Sequence, residues 1–455
     1  MTTYHEAIEF LLNRTNFERK HASTFQHRDF KLDRMRALLK ELDDPHVIPA
    51  VHIAGTKGKG STAHMVAACL QASGFRTGLF TSPHLENYEE RIRIDGLPLE
   101  REDLVHYVEI LQRATETLQS RDSRLNPTFF ELTTALAWIA FRAQEVQIVV
   151  LEVGLGGRLD STNLCHPLVT AITSIGFDHT QQLGNTIEKI TAEKAGILKS
   201  GIPVVSGCTR DNARKVVRQK ADDCSSRLWE LQRDILAETI VDERGNTYHN
   251  FQTPHRKYEN LRLRILGAHQ VRNLAVALGI LDCLHQSGFE INHRSIPTVI
   301  GEMTIPGRQE ILSHQPLVLL DVAHNEDSNQ ALIESLQQLP PTTGNRILIF
   351  GSSRDKNYAQ QLEGLVPLFQ QVILTSSANS DRSCRPEEMF DSISPVFQNR
   401  LSVVETVPSA MEKAIHEVGR NGLLVVSGSF YLAGEARCEI KKYQKKRQPH
   451  ENVVA

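Results

Sequence analysis

A glycine-rich segment directly after an apolar run constrains the fold of this 455-residue chain more than any other feature. The run from Val47 to Ala54 is typical of a buried strand, and residues 63–72 beyond the glycines have a helical pattern. Glycines let backbone N–H groups face an anion, and the start of a helix adds positive potential. A turn without a ligand is the simpler alternative, but it does not explain why glycines, lysines and hydroxyls coincide here. We therefore predict a phosphate-binding loop formed by Gly55, Thr56, Gly58, Lys59, Gly60 and Ser61, with the Lys59 ammonium on the outer phosphates.

Length and composition exclude several classes of protein. A chain of this length exceeds one ordinary hydrophobic core, so we expect at least two domains. Apolar residues make up 40% of the chain and the net charge is −3, so no general attraction to nucleic acid is expected. No apolar run approaches the roughly 18–20 residues of a membrane span, and no signal-peptide pattern is present. The seven cysteines are scattered and form no C-x-x-C pair, which indicates reduced thiols in a cytoplasmic protein.

Strand and helix patterns alternate along most of the chain and predict an α/β fold. Residues 1–45 have a helical beat and precede a first series of strands, predicted at 47–54, 77–80, 147–153, 169–175 and 203–206. The helices predicted between these strands are 61–73, 101–119, 128–144, 185–198 and 210–221. Several of the strand runs are almost continuously apolar or β-branched, which is typical of central parallel strands covered on both faces.

The second half of the chain changes character twice. Residues 226–265 are polar and turn-rich, and they predict a small antiparallel appendage to a doubly wound, mostly parallel sheet. A helix at 268–286 and a Pro-Gly break at 306–307 precede a second series of strands, predicted at 316–321, 346–350, 371–375, 401–404 and 422–427. We therefore predict a phosphate-loop domain over 1–305, a smaller Rossmann-like α/β domain over 306–440, and a basic, frayed tail over 441–455.

Polar side chains stand where two of the predicted strands end. Glu152 ends an apolar strand and is followed by three glycines, and Asp178 and His179 follow the next strand along the chain. Ligands of open α/β sheets bind beyond the carboxyl ends of strands, and a carboxylate there that faces a phosphate loop is suited to Mg²⁺. We therefore predict that Glu152 binds Mg²⁺ rather than acting as a capping acid, and that His179 is functional rather than a packing residue.

Two other segments are ambiguous by pattern alone. Ser82 precedes a proline at the end of the predicted strand 77–80, and loops with proline are a common structural feature. The run Thr191-Ala-Glu-Lys-Ala-Gly predicts an ordinary helix end, with Glu193 and Lys194 on its solvated face.

The loop and these segments together resemble the folylpolyglutamate synthase/dihydrofolate synthase family, a branch of the Mur-ligase-like ATP-dependent amide ligases. The resemblance extends over nearly the whole chain. The family commonly has Asn at the position of Lys57 and Gly at the position of Val322. The resemblance implies an N-terminal ATPase domain, a C-terminal glutamate-ligase domain, ATP as a co-substrate and two Mg²⁺ ions.

The resemblance also implies roles for individual residues. Ser82, Glu152 and His179 would bind Mg²⁺, and Lys194 would be carbamylated by CO₂ to become an anionic ligand of a second Mg²⁺. Lys59, Lys194 and His324 form the implied catalytic set, with His324 positioning glutamate or deprotonating its amine. The implied nucleotide contacts beyond the loop are Asn273, Arg308 and Asp321. The implied contacts to the pterin-bearing acceptor are Thr128, Phe129, Phe130, Glu131, Leu159, Asp160 and Ser161.

The implied activity is addition of L-glutamate to dihydropteroate, to the γ-carboxylate of a reduced folate, or to both, through an acyl phosphate. The enzyme is expected to be a cytoplasmic monomer that binds neither nucleic acid nor membranes. A peptidoglycan-type Mur ligase is one alternative, which the pterin-like segment 128–131 disfavours. A phosphate-loop nucleotide-binding protein without ligase activity is another, which the second α/β domain disfavours. A catalytically inactive regulator is a third, which the presence of Lys59, Glu152, His179 and Lys194 disfavours.

Overall fold

A computed structural model describes residues 2–16, 32–339, 342–378 and 382–447 of the chain. These residues form two compact units. The first unit consists of the described residues up to His84, together with Tyr88–Arg264 and His269–Glu302. The second consists of Leu85–Asn87, Ile265–Ala268 and the described residues from Met303 onward.

The α-helices of the first unit are α1 Tyr4–Leu12, α2 Asp33–Glu41, α3 Lys59–Ala72, α4 Arg101–Arg121, α5 Phe129–Ala143, α6 Thr180–Leu183, α7 Ile187–Ala195, α8 Asp211–Asp223, α9 Ala268–Gln286, which begins at the last residue of the second unit's short segment, and α10 Ile296–Glu302. Its strands are β1 Pro49–Ala54, β2 Thr77–Phe80, β3 Ile92–Ile94, β4 Leu97–Pro98, β5 Ile148–Glu152, β6 His166–Ile172, β7 Val204–Ser206, β8 Leu228–Glu230, β9 Leu236–Val241, β10 Thr247–Gln252 and β11 Lys257–Leu261.

The main sheet of the first unit has eight strands in the order β4-β3-β2-β5-β1-β6-β7-β8. Strands β2, β5, β1, β6, β7 and β8 are parallel, and β3 and β4 add an antiparallel edge. Helices cover both faces, since Val204 packs in the cluster formed with α7 and α8, whereas Val205 lies against Gly279 of α9. Burial on both faces explains why these strands are apolar along their whole length. The predicted doubly wound, mostly parallel sheet is confirmed.

The predicted antiparallel appendage is also confirmed, although its first strand begins at Leu236 and not within the first residues of the predicted segment 226–265. Strands β9, β10 and β11 form a three-stranded antiparallel sheet. The segment 228–230, which we predicted to belong to it, instead forms β8 and pairs with β7 in the main sheet. Trp229 is buried there, and burying so large an aromatic favours the main sheet over a small polar one. Among the described residues, no helix is long and apolar enough to cross a membrane.

The second unit has a six-stranded sheet in the order β12-β13-β17-β14-β15-β16. Its strands are β12 Glu310–His314, β13 Leu317–Leu320, β14 Arg346–Phe350, β15 Gln371–Ser376, β16 Leu401–Thr406 and β17 Leu423–Ser427. Its helices are α11 Glu326–Gln338, α12 Tyr358–Leu365, α13 Pro386–Asp391, α14 Val407–Val418 and α15 Phe430–Arg447. All strands except the antiparallel edge strand β12 are parallel, and residues of β14 alternate between two separate hydrophobic clusters, one on each face. The predicted C-terminal α/β domain is confirmed.

Both ends of the chain are only partly described. The helical beat predicted for residues 1–45 corresponds to α1 and α2, while residues 17–31 lie outside the described residues. Residues 441–447, predicted as part of a frayed tail, continue α15, and Lys441 forms an ion pair with Glu86 at 2.8 Å. This ion pair stabilises the first residue of the continuation, and residues 448–455 lie outside the described part.

Candidate active site

The glycine segment forms a tight turn between β1 and α3. Gly58 precedes the helix with a φ of +85°, and a Cβ atom there would lie 2.2 Å from Asn273 Oδ1. Position 58 therefore excludes a residue with a side chain, both because its backbone is left-handed and because Asn273 leaves no space for a Cβ atom. The first turn of α3 has no acidic residue, so no carboxylate within it offsets the positive end of the helix. The turn has the properties of an anion site, and Asn273 lies directly beside it.

Hydroxyl groups beyond β6 hold this turn in place. The Lys57 carbonyl accepts hydrogen bonds from Thr173 Oγ1 at 2.7 Å and from Ser174 Oγ at 2.9 Å. The Lys57 ammonium forms an ion pair with Asp178 at 2.9 Å, and both side chains are partly buried. The backbone of the turn is thereby attached to the neighbouring strand end before any ligand binds.

Ser82 and Glu152 lie together beside the turn. Glu152 is the last residue of β5, and its Oε2 accepts a hydrogen bond from the Ser82 N–H at 3.1 Å. A Cβ atom on Gly60 would lie 3.1 Å from the same oxygen, so the carboxylate adjoins the start of α3. Among the described residues, no three His, Cys, Asp or Glu side chains form a cluster suited to a metal. This arrangement fits Mg²⁺, which proteins hold with one or two carboxylates while substrate phosphates supply other ligands.

His179 follows β6 and lies at the start of α6. Its backbone is left-handed, with φ +49° and ψ +40°, a conformation that costs of the order of 1 kcal/mol for a residue with a side chain. The ring is 52% exposed, and its Nε2 lies 3.8 Å from Asp178 Oδ1. Strands β2, β5, β1 and β6 are neighbours, so Ser82, Glu152, the phosphate loop and His179 all lie at adjoining carboxyl ends of one parallel sheet.

Lys194 is buried, so the solvated position that its local pattern predicts is wrong. Its exposed fraction is 4%, and it continues the buried face of α7 formed by Ile187, Ile190 and Thr191. Burial, with the positive charges of Lys59 and Lys57, lowers the pKa of the Lys194 ammonium to about 7, although Asp178 and Asp160 act in the opposite direction. A substantial fraction of this amine is therefore neutral near pH 7, and a neutral amine is the form that reacts with CO₂.

The segment predicted to bind a pterin begins helix α5. Thr128 caps the helix in a capping box with Glu131, whose carboxylate accepts the Thr128 N–H at 2.7 Å. The Phe129 ring is buried, whereas Phe130 is only partly buried, and a Cβ atom on Gly154 would lie 2.4 Å from its ring. Of the two aromatic residues, Phe130 is therefore the one that adjoins the glycine turn after β5.

The other predicted acceptor residues follow the same strand. Leu159 is partly buried, and Ser161 Oγ lies 2.7 Å from Thr134 Oγ1 on α5. Asp160 is buried, which raises the pKa of its carboxyl, and it accepts hydrogen bonds from the N–H groups of Leu155 and Thr162. The loop after β5 is thus joined to α5 by the hydrogen bond between Ser161 and Thr134.

Comparisons with known proteins identify the family. The Mur ligase middle domain model matches residues 53–281, and the Mur ligase glutamate ligase domain model matches residues 307–430. The chain is 33% identical over 414 residues to the dihydrofolate synthase/folylpolyglutamate synthase of Bacillus subtilis (strain 168), covering 90% of this chain and 95% of that protein. The chain belongs to the folylpolyglutamate synthase/dihydrofolate synthase family. It is an ATP-dependent amino-acid ligase.

Solved structures of family members have the same fold. The folylpolyglutamate synthase of Thermotoga maritima is similar with a TM-score of 0.83 and 31% identity, covering 97% of each chain. The Escherichia coli FolC protein in complex with DHPP and ADP has a TM-score of 0.81 and 27% identity, covering 97% of this chain and 98% of that one. The resemblance that the motifs indicate is therefore confirmed over the length of the protein.

The second unit of this family member gathers the other predicted residues. Burial raises the pKa of Asp321 to about 6, although the Arg308 charge and two backbone N–H donors act in the opposite direction. The Arg308 guanidinium carbon lies 5.3 Å from the centroid of the Phe430 ring, and the His324 ring lies 5.7 Å from it. Arg308, Asp321 and His324 thus form one cluster at the carboxyl ends of β13 and β17.

Sequence reasoning missed the residues that hold the predicted phosphate loop of this ligase in place. The apolar pattern predicts Thr173 and Ser174 as part of the strand 169–175, but β6 ends at Ile172 and their side chains donate hydrogen bonds to the Lys57 carbonyl. Two consecutive hydroxyl residues at the end of an apolar run were the available signal. Lys57 was noted only as a departure from the family pattern, and its ion pair with Asp178 was not anticipated.

Proposed function

We propose that this ligase joins L-glutamate to dihydropteroate, to the γ-carboxylate of a reduced folate, or to both. The observation that carries the proposal is the position of the phosphate loop, Glu152 and His179 at adjoining strand ends, beside a buried lysine. Relatives of this chain are named for both activities, which supports an acceptor with a pterin ring. A monomeric state and a cytoplasmic location stay predictions.

The first step activates the acceptor carboxylate. A carboxylate does not condense with an amine unaided because its oxygen is a poor leaving group. One carboxylate oxygen attacks the γ-phosphorus of ATP, a P–O bond forms, the bond to the β–γ bridging oxygen breaks, and ADP leaves. Transfer of this kind depends mainly on positioning and on neutralising phosphate charge, for which the start of α3 and Lys59 are suited.

The second step forms the amide. The neutral amine of L-glutamate attacks the acyl carbon, the C–O bond to phosphate breaks, and inorganic phosphate leaves. The amine must first lose a proton, and His324 is our candidate for accepting it. Its Nδ1 lies 2.9 Å from the Val322 carbonyl, which can only accept a hydrogen bond. Nδ1 therefore has the proton in the neutral ring, and the lone pair is on Nε2.

Two Mg²⁺ ions complete the proposal. Ser82, Glu152 and His179 would hold the first, and Lys194, as a carbamate, would contribute an oxygen to the second. When bound, Mg²⁺ supplies positive charge to the transferred phosphoryl group. The low pKa of the buried Lys194 supports the modification, because the neutral amine needed for it is accessible near pH 7.

The experiment that tests the proposal measures phosphate release from ATP in the presence of L-glutamate. Dihydropteroate and tetrahydrofolate are supplied in separate reactions, and the products are identified by mass. We expect a product one glutamate residue heavier than the acceptor with at least one of the two. Phosphate release without an amide product, or no dependence on either acceptor, would overturn the proposal. Lys194→Ala, assayed with and without added formate, tests the carbamate separately, since rescue is expected only if an oxygen ligand has been lost.

A further inference from the structure

A buried histidine on the strand that leads into the phosphate loop has no part in the chemistry described above. His52 lies in β1, fully buried between β5 and β6, with Leu151 and Thr170 as its neighbours in register. Burial lowers the pKa of His52 to about 3, so the ring is neutral at physiological pH. A neutral imidazole has one N–H and one lone pair, and its hydrogen-bond partners decide which nitrogen has the proton.

The partners of His52 decide the direction of its hydrogen bond. Its Nε2 lies 2.8 Å from Thr162 Oγ1, and Thr162 Oγ1 lies 2.5 Å from Asp160 Oδ1. Asp160 also accepts backbone N–H groups on both oxygens, from Thr162 at 3.0 Å and from Leu155 at 2.9 Å. Burial raises the pKa of this carboxyl, but a backbone N–H donor on each oxygen leaves neither oxygen suited to hold a proton, so we take Asp160 as an acceptor only. The Thr162 hydroxyl therefore donates to Asp160, and it accepts from Nε2–H of His52.

The other nitrogen of the ring supports this direction. His52 Nδ1 is buried and finds no hydrogen-bond partner among the described residues. Buried N–H groups without an acceptor are rarer than buried lone pairs without a donor, so Nδ1 has the lone pair. A directed chain of hydrogen bonds thus runs from the strand of the phosphate loop through Thr162 to Asp160.

Asp160 also binds the backbone of the segment that adjoins Phe130. Besides Leu155, its carboxylate accepts the N–H of Gly154. Gly154 has no space for a side chain, because a Cβ atom there would lie 2.4 Å from the Phe130 ring. The position of the turn at 154–155 and the position of the ring therefore depend on each other.

We propose that His52 is a positioning residue for the pterin-bearing acceptor, acting through Thr162 and Asp160 on the turn at Gly154 and on the Phe130 ring. This inference rests on the proposed function, because it takes Phe130 to contact the acceptor. His52 touches no reacting atom. Its contribution is to donate to the Thr162 hydroxyl, which keeps that hydroxyl oriented toward the Asp160 carboxylate.

Matched variants separate the hydrogen bonds from packing. Thr162→Val removes the hydroxyl with almost no change of shape, whereas Thr162→Ser keeps it. We expect Thr162→Val to raise the KM for the acceptor at least about fivefold while the KM for ATP changes less than about twofold. Thr162→Ser should stay within about twofold of the parent enzyme for both substrates. Adding His52→Asn to Thr162→Val should then have little further effect, because the chain is already broken.

A measurement on the unaltered protein tests the hydrogen bonds of His52 without an activity assay. In ¹⁵N-histidine spectra, His52 should be a neutral ring protonated on Nε2 throughout pH 5–8. A ring protonated on Nδ1, or one that titrates in this range, would overturn the proposal, as would equal acceptor KM values for Thr162→Val and Thr162→Ser. If the protein ligates no pterin-bearing acceptor, the proposed function fails while the spectra still report on the chain itself. In that case, the predicted spectrum would confirm the hydrogen bonds from His52 to Asp160 but refute their role in positioning the acceptor.

Discussion

Replacing Lys194 by methionine should stabilise the protein at neutral pH and abolish ligation. The pKa of Lys194 is about 7 in the folded protein, against an ordinary value of 10.5, because burial and the Lys59 charge disfavour the ammonium. Each pH unit between the folded and unfolded pKa values corresponds to about 1.4 kcal/mol. The lysine therefore lowers the free energy of unfolding by about 5 kcal/mol at pH 7. Methionine fills a similar volume without a charge.

The pH dependence of this difference has a definite sign. The unfolded chain keeps the proton up to a pKa of 10.5, whereas the folded protein releases it near pH 7, so the stability of the native protein rises with pH in this interval. The gain in the free energy of unfolding from Lys194→Met is therefore largest below about pH 7, where the lysine of the parent protein is protonated in both the folded and the unfolded state. It falls to about 2 kcal/mol at pH 9 and disappears near the unfolded pKa.

Denaturant unfolding followed by tryptophan fluorescence at pH 7 and pH 9, in buffers free of CO₂, measures this difference. Both tryptophans of the chain, Trp138 and Trp229, belong to the first unit, so the signal reports on the unit that contains Lys194. Lys189→Met, an exposed lysine on the same helix, is the control and should change stability by less than about 0.5 kcal/mol at either pH. No gain from Lys194→Met, or an equal gain at both pH values, would refute the reasoning.

Three further predictions concern the first unit. Lys59→Ala should lower kcat/KM at least about a hundredfold with an unchanged unfolding midpoint, because it removes a contact to the transferred phosphate; near-normal turnover in steady-state assays would contradict this. Glu152→Gln and His179→Ala should each raise the Mg²⁺ concentration that gives half-maximal rate, and an unchanged Mg²⁺ titration would show that the altered residue is not a ligand. Gly154→Ala should displace the Phe130 ring and raise the KM for the acceptor at least about fivefold, whereas an unaltered KM would separate the ring from acceptor binding.

Several elements could be predicted from sequence because their signals are local. The predicted strand 77–80 is β2 Thr77–Phe80, and the predicted helix 268–286 is α9 Ala268–Gln286. An uninterrupted apolar period bounded by turn residues is sufficient for such elements. The antiparallel edge strands β3, β4 and β12 were not anticipated. Strands β3 and β4 have only three and two residues, and segments this short show little periodicity of their own.

Some residues of the site could likewise be placed from the sequence, and others could not. The positions of the glycine turn, Glu152 and His179 could be predicted because each ends or follows an apolar strand, and parallel strands bring their carboxyl ends to one edge; their roles stay predictions. Lys194 was misplaced by its local pattern, although it continues the spacing of Ile187 and Ile190. A lysine at the end of an apolar stripe is usually solvated, and only the packing of the surrounding chain shows that this one is buried.

The sequence by itself determined the order of strands and helices, the glycine turn after β1 and the family, because these depend on residue types at short spacings. Only the tertiary structure decided the electrostatic state of the site. The Lys57–Asp178 ion pair joins residues 121 positions apart, and the His52–Thr162 hydrogen bond joins residues 110 positions apart. The low pKa of Lys194 likewise depends on the charges of Lys59 and Lys57, which are distant in the chain. Burial and charge proximity are properties of the folded arrangement, and they set proton affinities that no local pattern records.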